Sequence, residues 1–317
     1  MAASINEVRN TVLAIANKNN YGYISPQDFN LYAKQAQLDM FEDYFYAYNS
    51  WINKQNSRMS GTGYADIIKG LEEVMDTFSV QLFLTQVNQN IFSLPNDYYL
   101  INKLYYYSDP LFTGTATAVV ANQLVDAAAV GWTTIPASAP TPPIGSIVVN
   151  TTTLQEAFVT GVLSGTTITL SADIFGVVGE NYVIYKDTRI KEVERVTQSK
   201  IFYLTNSMLT APTKSFPAYV LDGNNITVYP TSIRQRAAIR TQYVRYPLTP
   251  RWTWQNLALG EPQFDPTQAD FQEFELPDSD EPTLIAKICQ YVGIEIREAD
   301  VYNFGKTEET NEIQESS

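Results

Sequence analysis

Residues 159–185 read VTGVLSGTTITLSADIFGVVGENYVIY, and they complete a stretch between Lys103 and Lys186 that holds neither lysine nor arginine. Two earlier pieces of it, ATAVVANQLVDAAAV (116–130) and IPASAPTPPIG (135–145), share the same Thr, Ala, Val, Gly, Ser and Pro composition. No other part of the 317-residue chain goes so long without a positive charge. Lys, Arg, Glu and abundant tyrosine return on both sides. A composition that changes at two sharp edges reads as a module, residues 113–185, inserted into a frame. The module has its own strand signals at Ser146 to Asn150, Ala157 to Val162, Thr167 to Leu170 and Tyr182 to Tyr185. Gly161 and Gly165 read as turns and Pro136 to Pro143 as an extended loop. So many short strands in so short a span predict a small β-sandwich or barrel.

The frame begins with helices. Ser4 and Glu7 have capping-box spacing, and Ile5, Val8, Val12 and Ile15 then recur on one helical face. Ser25-Pro26-Gln27-Asp28 combines a cap, a proline suited to the first helical position and an early acid. The helix it opens is expected to reach Trp51, with Phe29, Ala33, Ala36, Met40 and Tyr44 along one face. Phe41, Phe45, Tyr46, Tyr48 and Trp51 make it aromatic on further sides. That pattern fits either a helix enclosed in its own domain or one with a second partner. A third helix is read from Tyr64 to Val80. The period then changes to β, through Leu100 to Tyr107, Ile190 to Val196, Ile201 to Leu204, Ala218 to Leu221 and Ala237 to Tyr246. A hairpin turn at Asp222-Gly223-Asn224-Asn225 lies among these runs. A last helix starts near Ser279 or Asp280 and places Ile285, Ile288, Cys289, Val292 and Ile296 on its apolar stripe, so Cys289 reads as a buried small hydrophobe.

These segments divide the chain into a helical part (1–90), a first β segment (91–112), the inserted β-module (113–185) and a second β region (186–260). An acidic segment with the C-terminal helix (261–305) and a mobile polar tail (306–317) follow. The fold class expected is α+β, a helical frame with a β-hairpin and sheet region plus an inserted all-β sandwich or barrel.

Composition limits the chemistry. Net charge is −13, which argues against wrapping nucleic acid, where affinity depends on neutralising phosphates. The chain has no histidine, which removes Ser-His and Cys-His nucleophile pairs and every His-ligated metal site. A carboxylate pair for glycoside hydrolysis is still conceivable from the composition. The cluster Ser60-Gly61-Thr62-Gly63 lacks the context of a phosphate loop and reads as a helix connector. Catalysis, cofactor and metal sites are not expected. With a single cysteine no internal disulfide forms, and no run of apolar residues is long enough to span a membrane. MAASINEVRN lacks the pattern of a secretory signal, so an ordered, soluble protein is expected.

Charge in the frame is segregated. Between Gly223 and Trp254 lie Arg234, Arg236, Arg240, Arg245 and Arg251 with no acid; between Glu261 and Glu281 lie eight acids, Glu273, Glu275, Asp278 and Asp280 among them, with no base. Three readings stay open. The segments neutralise each other within a subunit, or meet between subunits as a head-to-tail ring requires, or the acidic run holds calcium.

Several motifs, taken in order, resemble a known family. They are Gly22-Tyr23-Ile24-Ser25-Pro26-Gln27-Asp28-Phe29-Asn30, Phe92-Ser93-Leu94-Pro95-Asn96-Asp97-Tyr98, and Val228-Tyr229-Pro230 followed by Tyr246-Pro247 and Pro250-Arg251-Trp252. Phe274-Glu275-Leu276-Pro277 then precedes the helix containing Val292-Gly293-Ile294-Glu295-Ile296-Arg297-Glu298. Together they resemble the ring and head–tail connector proteins, or portal adaptors, of short-tailed bacteriophages, most closely those of crAss-like phages. The module is similar to a β-module that recurs in phage virion proteins, through Val148-Val149-Asn150-Thr151 and Leu170-Ser171-Ala172-Asp173-Ile174-Phe175, and is a departure from simpler connectors.

The resemblance implies a structural virion protein with no enzymatic activity, assembled in the host bacterial cytoplasm. Its partners would be copies of itself in a closed, twelve-fold ring, with the portal protein or adjacent tail ring proteins above and below. DNA would pass through the channel at ejection without specific binding, and no membrane partner is implied. Arg234, Arg236, Arg240 and Arg245 against Glu273, Glu275, Asp278 and Asp280 are the expected ring contacts; Phe41, Tyr44, Tyr46, Tyr48 and Trp51 are the expected helix contacts. The alternative is a tail or surface protein whose module grips carbohydrate through Trp132, Tyr182 and Tyr185.

Overall fold

Ile5, Val8 and Val12 lie buried on one side of α1 (Ile5–Ala16) in the computed structural model, as their spacing predicts. The structure describes residues 3–16, 24–56, 67–129, 132, 142–186, 190–257 and 260–295, with 303, 306 and 307. The carboxylate that meets the first turn of α1 belongs to Glu273 rather than to Glu7. It accepts the Ile5 N–H at 2.7 Å and so puts negative charge at the positive end of the helix dipole. The segment that carries it is held there because Ala3 N–H also donates to the Leu276 carbonyl, at 3.0 Å.

α2 (Pro26–Asn56) starts as its sequence directs, with Ser25 Oγ accepting the Asp28 N–H at 3.2 Å, and it continues past Trp51. α3 (Ile67–Asp76) is shorter than expected. Its chain leaves the helix before Phe78, which turns inward, and Val80 belongs to a strand. The expected start of that helix, residues 64–66, lies outside the described residues. α5 (Glu281–Glu295) follows a single 3-10 turn, Asp278–Asp280, and buries Leu284, Ile288, Cys289 and Val292. Ile296, read on the same stripe, is outside the described residues, as are residues 136–141 of the proline-rich loop and most of the tail.

Two compact units result: Met1–Phe78 with Tyr246–Ser317, and Ser79–Arg245. The first, helical unit packs α1, α2 and α5 around Trp252, Phe274 and Leu276. Arg9 is buried within it, its guanidinium 3.9 Å above the Trp252 ring. This division differs from the one read in the sequence. Residues 79–90, read with the helical part, group with the β strands, and residues 246–260, read with the second β region, group with the helices, because strands already begin at Ser79 and share their sheets with residues up to Arg245.

The second, β unit contains three sheets. The first is antiparallel and four-stranded, in the order β1 (Ser79–Phe83), β16 (Ile239–Arg245), β4 (Tyr98–Tyr107), β12 (Ile190–Glu192). The second runs β13 (Glu194–Arg195), β14 (Ala218–Asp222), β15 (Asn225–Tyr229), β3 (Ile91–Ser93), β2 (Thr85–Asn88). Gly223 and Asn224 join β14 to β15, with Gly223 at a φ of +59° that favours glycine. Residues 201–204, read as a strand, instead lie in α4 (Gln198–Asn206), where only Ile201 is buried. Four apolar residues are too few for periodicity to separate helix from strand.

The third sheet draws all seven strands from residues 112–185. Its order is β5 (Phe112–Thr115), β11 (Asn181–Tyr185), β8 (Ile147–Asn150), β9 (Glu156–Ser164), β10 (Thr167–Leu170), β7 (Gln123–Val125), β6 (Ala118–Val120). Gly161 is not a turn: it sits inside β9 opposite Thr169. Because side chains alternate along a strand, β8 and β11 serve two cores. Val148, Tyr182 and Ile184 pack with Trp132 and Ile168 inside the module. Ile147, Val149, Val183 and Tyr185 pack with Phe83, Tyr107 and Ala237 of the frame. The protein is α+β with a β-sandwich-like region.

Candidate assembly surfaces

Most of the residues expected at a ring contact are engaged inside their own unit. Arg240, on β16, points at the module: its Nη2 lies 2.6 Å from Glu156 Oε1 on β9, and its Nη1 donates to Tyr107 Oη at 3.2 Å. The two side chains keep only 14% and 28% of their exposure, so Arg240 joins module to frame and is not a surface contact. Burial raises the pKa of Glu156, and the Arg240 charge opposes that rise. Arg245 is half-buried at the end of β16, opposite Tyr98. Arg234 and Arg236 are exposed, and Arg234 Nε donates to the Thr231 carbonyl at 2.7 Å.

The acids behave likewise. Glu273 caps α1, Glu275 accepts the Leu248 N–H at 2.7 Å, and Asp280 accepts the Tyr44 hydroxyl. Asp278 is exposed on the 3-10 turn. One pair drawn from the segregated runs meets within the helical unit: Arg251 lies 3.1 Å from Asp270. Acid nonetheless accumulates near Asp278, where burial first and then Glu7 and Asp278 push the pKa of Glu281 upward. Among the described residues no group of three or more such side chains is placed to hold a metal ion.

The aromatic set on α2 separates in the same way. Phe41 is fully buried, in edge contacts with Phe45 and Phe78 at centroid distances of 5.0 and 5.1 Å, so it is core and not contact surface. Tyr44 is tied to Asp280, and burial with that bond drives its hydroxyl pKa far up. Tyr48 donates to Glu72 at 3.0 Å, and Tyr46 stands exposed. Trp51 lies on α2, and its side chain is outside the described part.

Trp132, Tyr182 and Tyr185 are all buried, which denies a sugar the open ring face it stacks on. Trp132 meets Phe112 and Tyr182 edge-on, and Tyr182 Oη donates to Asp126 at 2.7 Å. Gly114 pairs with Tyr182 across the strands, and a Cβ there would fall 2.5 Å from Asp126 Oδ2 and 2.6 Å from Tyr182 Oη. Beside them is a recess of about 500 Å³.

Two features were missed by motif reading. Charge divides by unit: Met1–Phe78 with Tyr246–Ser317 holds 24 acids and 10 bases, net −14, whereas Ser79–Arg245 holds 10 acids and 11 bases, net +1. The sequence contained this signal, but only the unit boundaries reveal it. The other feature is an exposed apolar run after β13. Phe202 and Tyr203 on α4, then Met208, Leu209 and Phe216, are 65 to 101% exposed. Their missed signal is the acid-free run from Arg195 to Leu221. No described helix is long and apolar enough to cross a membrane. No protein-family model matches the chain, and no curated protein matches it.

Proposed function

We propose that this chain is a non-enzymatic subunit of a closed ring in the portal–tail connector of a short-tailed phage, joining portal to tail and extending the DNA channel. The carrying observation is the division of charge, −14 on the helical unit and +1 on the β unit. A ring built head to tail brings two different faces of one chain together, and a chain with one strongly acidic and one near-neutral unit supplies two unlike surfaces. Net acidity fits the channel role, since a lumen that repels phosphate does not retain DNA. The ordered motifs between residues 22 and 298 that resemble connector proteins point the same way.

The internal bonds of Arg240, Glu273, Glu275 and Asp280 move the expected contact away from those side chains and onto the bias of the two units as wholes. Mass photometry of the purified chain, alone and with the portal protein, tests the reading. Twelve copies of 35.6 kDa give a particle of about 430 kDa. A monomer in both conditions would refute it.

A further inference from the structure

α4 buries Ile201 against Val196, Ala218 and Val220, with Leu204 beside them, and this turns Phe202 and Tyr203 outward. The chain that follows is folded. Ala211 N–H donates to the Ser207 carbonyl at 3.0 Å, Thr213 and Phe216 exchange two backbone bonds of 3.1 Å, and Phe216 N–H also meets Thr213 Oγ1. Phe216 therefore projects from a hydrogen-bonded turn, 81% exposed, with Met208 at 101% and Leu209 at 97% before it. At ~150 Å² per fully exposed large side chain the five, weighted by their exposure, present roughly 600 Å², about three quarters of one partner's share of a standard interface and at the upper end of the apolar patches of monomers. A face already fixed by backbone bonds also loses little entropy on docking.

We propose that residues 198–216 form a docking face that takes the acidic helical unit of a second copy of this chain. The proposal rests on the ring reading and assigns one side of its contact. Charge selects the occupant. Between Arg195 and Leu221 there are three bases, Arg195, Lys200 and Lys214, and no acid, and they neighbour the apolar residues in the sequence. The helical unit of the same chain carries −14, and Glu7 and Asp278 lie close enough to Glu281 to add to the rise that burial gives its pKa. One chain thus holds both an apolar, cationic face and an acidic receptor, and repeated use of that pair propagates head to tail.

The test uses the full chain, with portal protein present if assembly requires it. Phe202→Ser, Met208→Ser, Leu209→Ser and Phe216→Ser together are expected to weaken self-association at least about 100-fold, since a few large anchors carry most interface energy. The melting temperature, measured at dilutions where both chains are monomeric, should stay unchanged, because these side chains are exposed. Lys200→Glu with Lys214→Glu should weaken association and reduce its salt sensitivity. Carbodiimide cross-linking of mixed isotopically light and heavy chains should join Lys200 or Lys214 to carboxylates of the helical unit in a different copy.

A quadruple-serine variant that assembles like the natural chain overturns the docking face and leaves the ring reading standing. Natural chain that stays monomeric, alone and with portal, overturns both. Cross-links from these lysines to portal, or loss of binding to anionic lipid vesicles without any change in self-association, overturn the choice of occupant.

Discussion

Replacing Arg240 by Ala tests how module and frame are held together. The substitution removes a 2.6 Å ion pair to Glu156 and a 3.2 Å bond to Tyr107, and leaves a carboxylate in a site where it keeps only 28% exposure. Breaking a buried pair from one side costs about 3–5 kcal/mol, and the residual exposure of Glu156 places this case at the lower end, ~3 kcal/mol. For a unit of this size ~3 kcal/mol corresponds to a fall of roughly 6–12 °C in melting temperature. Differential scanning calorimetry should show that fall in one transition only. Hydrogen exchange should locate it in β8, β9, β11 and β16 while α1 and α5 keep their protection.

The companion change, Glu156→Leu with Arg240→Met, should recover most of the loss, because a well-packed apolar pair replaces a buried ionic one without penalty. The pH dependence has a definite sign. The folded pKa of Glu156 is raised above its ordinary 4.5 by burial. Folding therefore binds a proton there, so this contribution is fully present below the unfolded pKa and is lost as pH climbs through the folded one. Glu156→Gln should remove that slope. A loss under about 1 kcal/mol in Arg240→Ala, or a double variant no better than the single, refutes the account.

Gly114→Ala should destabilise the β unit by ~2–4 kcal/mol, because its Cβ collides with the buried Tyr182–Asp126 hydrogen bond; thermal denaturation followed by near-ultraviolet circular dichroism reads this out. Cys289 is buried and its thiol is pushed up to about 12, so it should resist a disulfide reagent at mildly alkaline pH and react with one equivalent after denaturation. Rapid labelling of the native protein would contradict its place in the core.

What was legible in the sequence was local. Ser25, Pro26 and Asp28 announced α2 because a cap and the turn it serves are neighbours in the chain. Asp222 to Asn225 announced a hairpin for the same reason. What escaped depends on distant partners. Glu273 replaces the expected cap of α1 across 268 residues, and Arg240 finds Glu156 across 84. Neither pairing has a local signature. Charge runs likewise marked Arg240 and Glu273 as surface contacts, since composition does not distinguish a charge that faces solvent from one already bonded within its fold. Ile201 to Leu204 misled for another reason, a run of four that fits either period.

β8 and β11 show alternate residues to two different cores, and this constrains how the chain could have acquired its module or could exchange it for another. A segment that carried only its own inner packing would present Ile147, Val149, Val183 and Tyr185 to water. The recipient in turn would leave Phe83 and Tyr107 uncovered. Recombination at the two composition edges therefore yields a working protein only when donor and recipient already agree on the shape of that outer seam. Grafts of foreign modules should therefore be matched to Phe83, Tyr107 and Ala237 before their termini are considered.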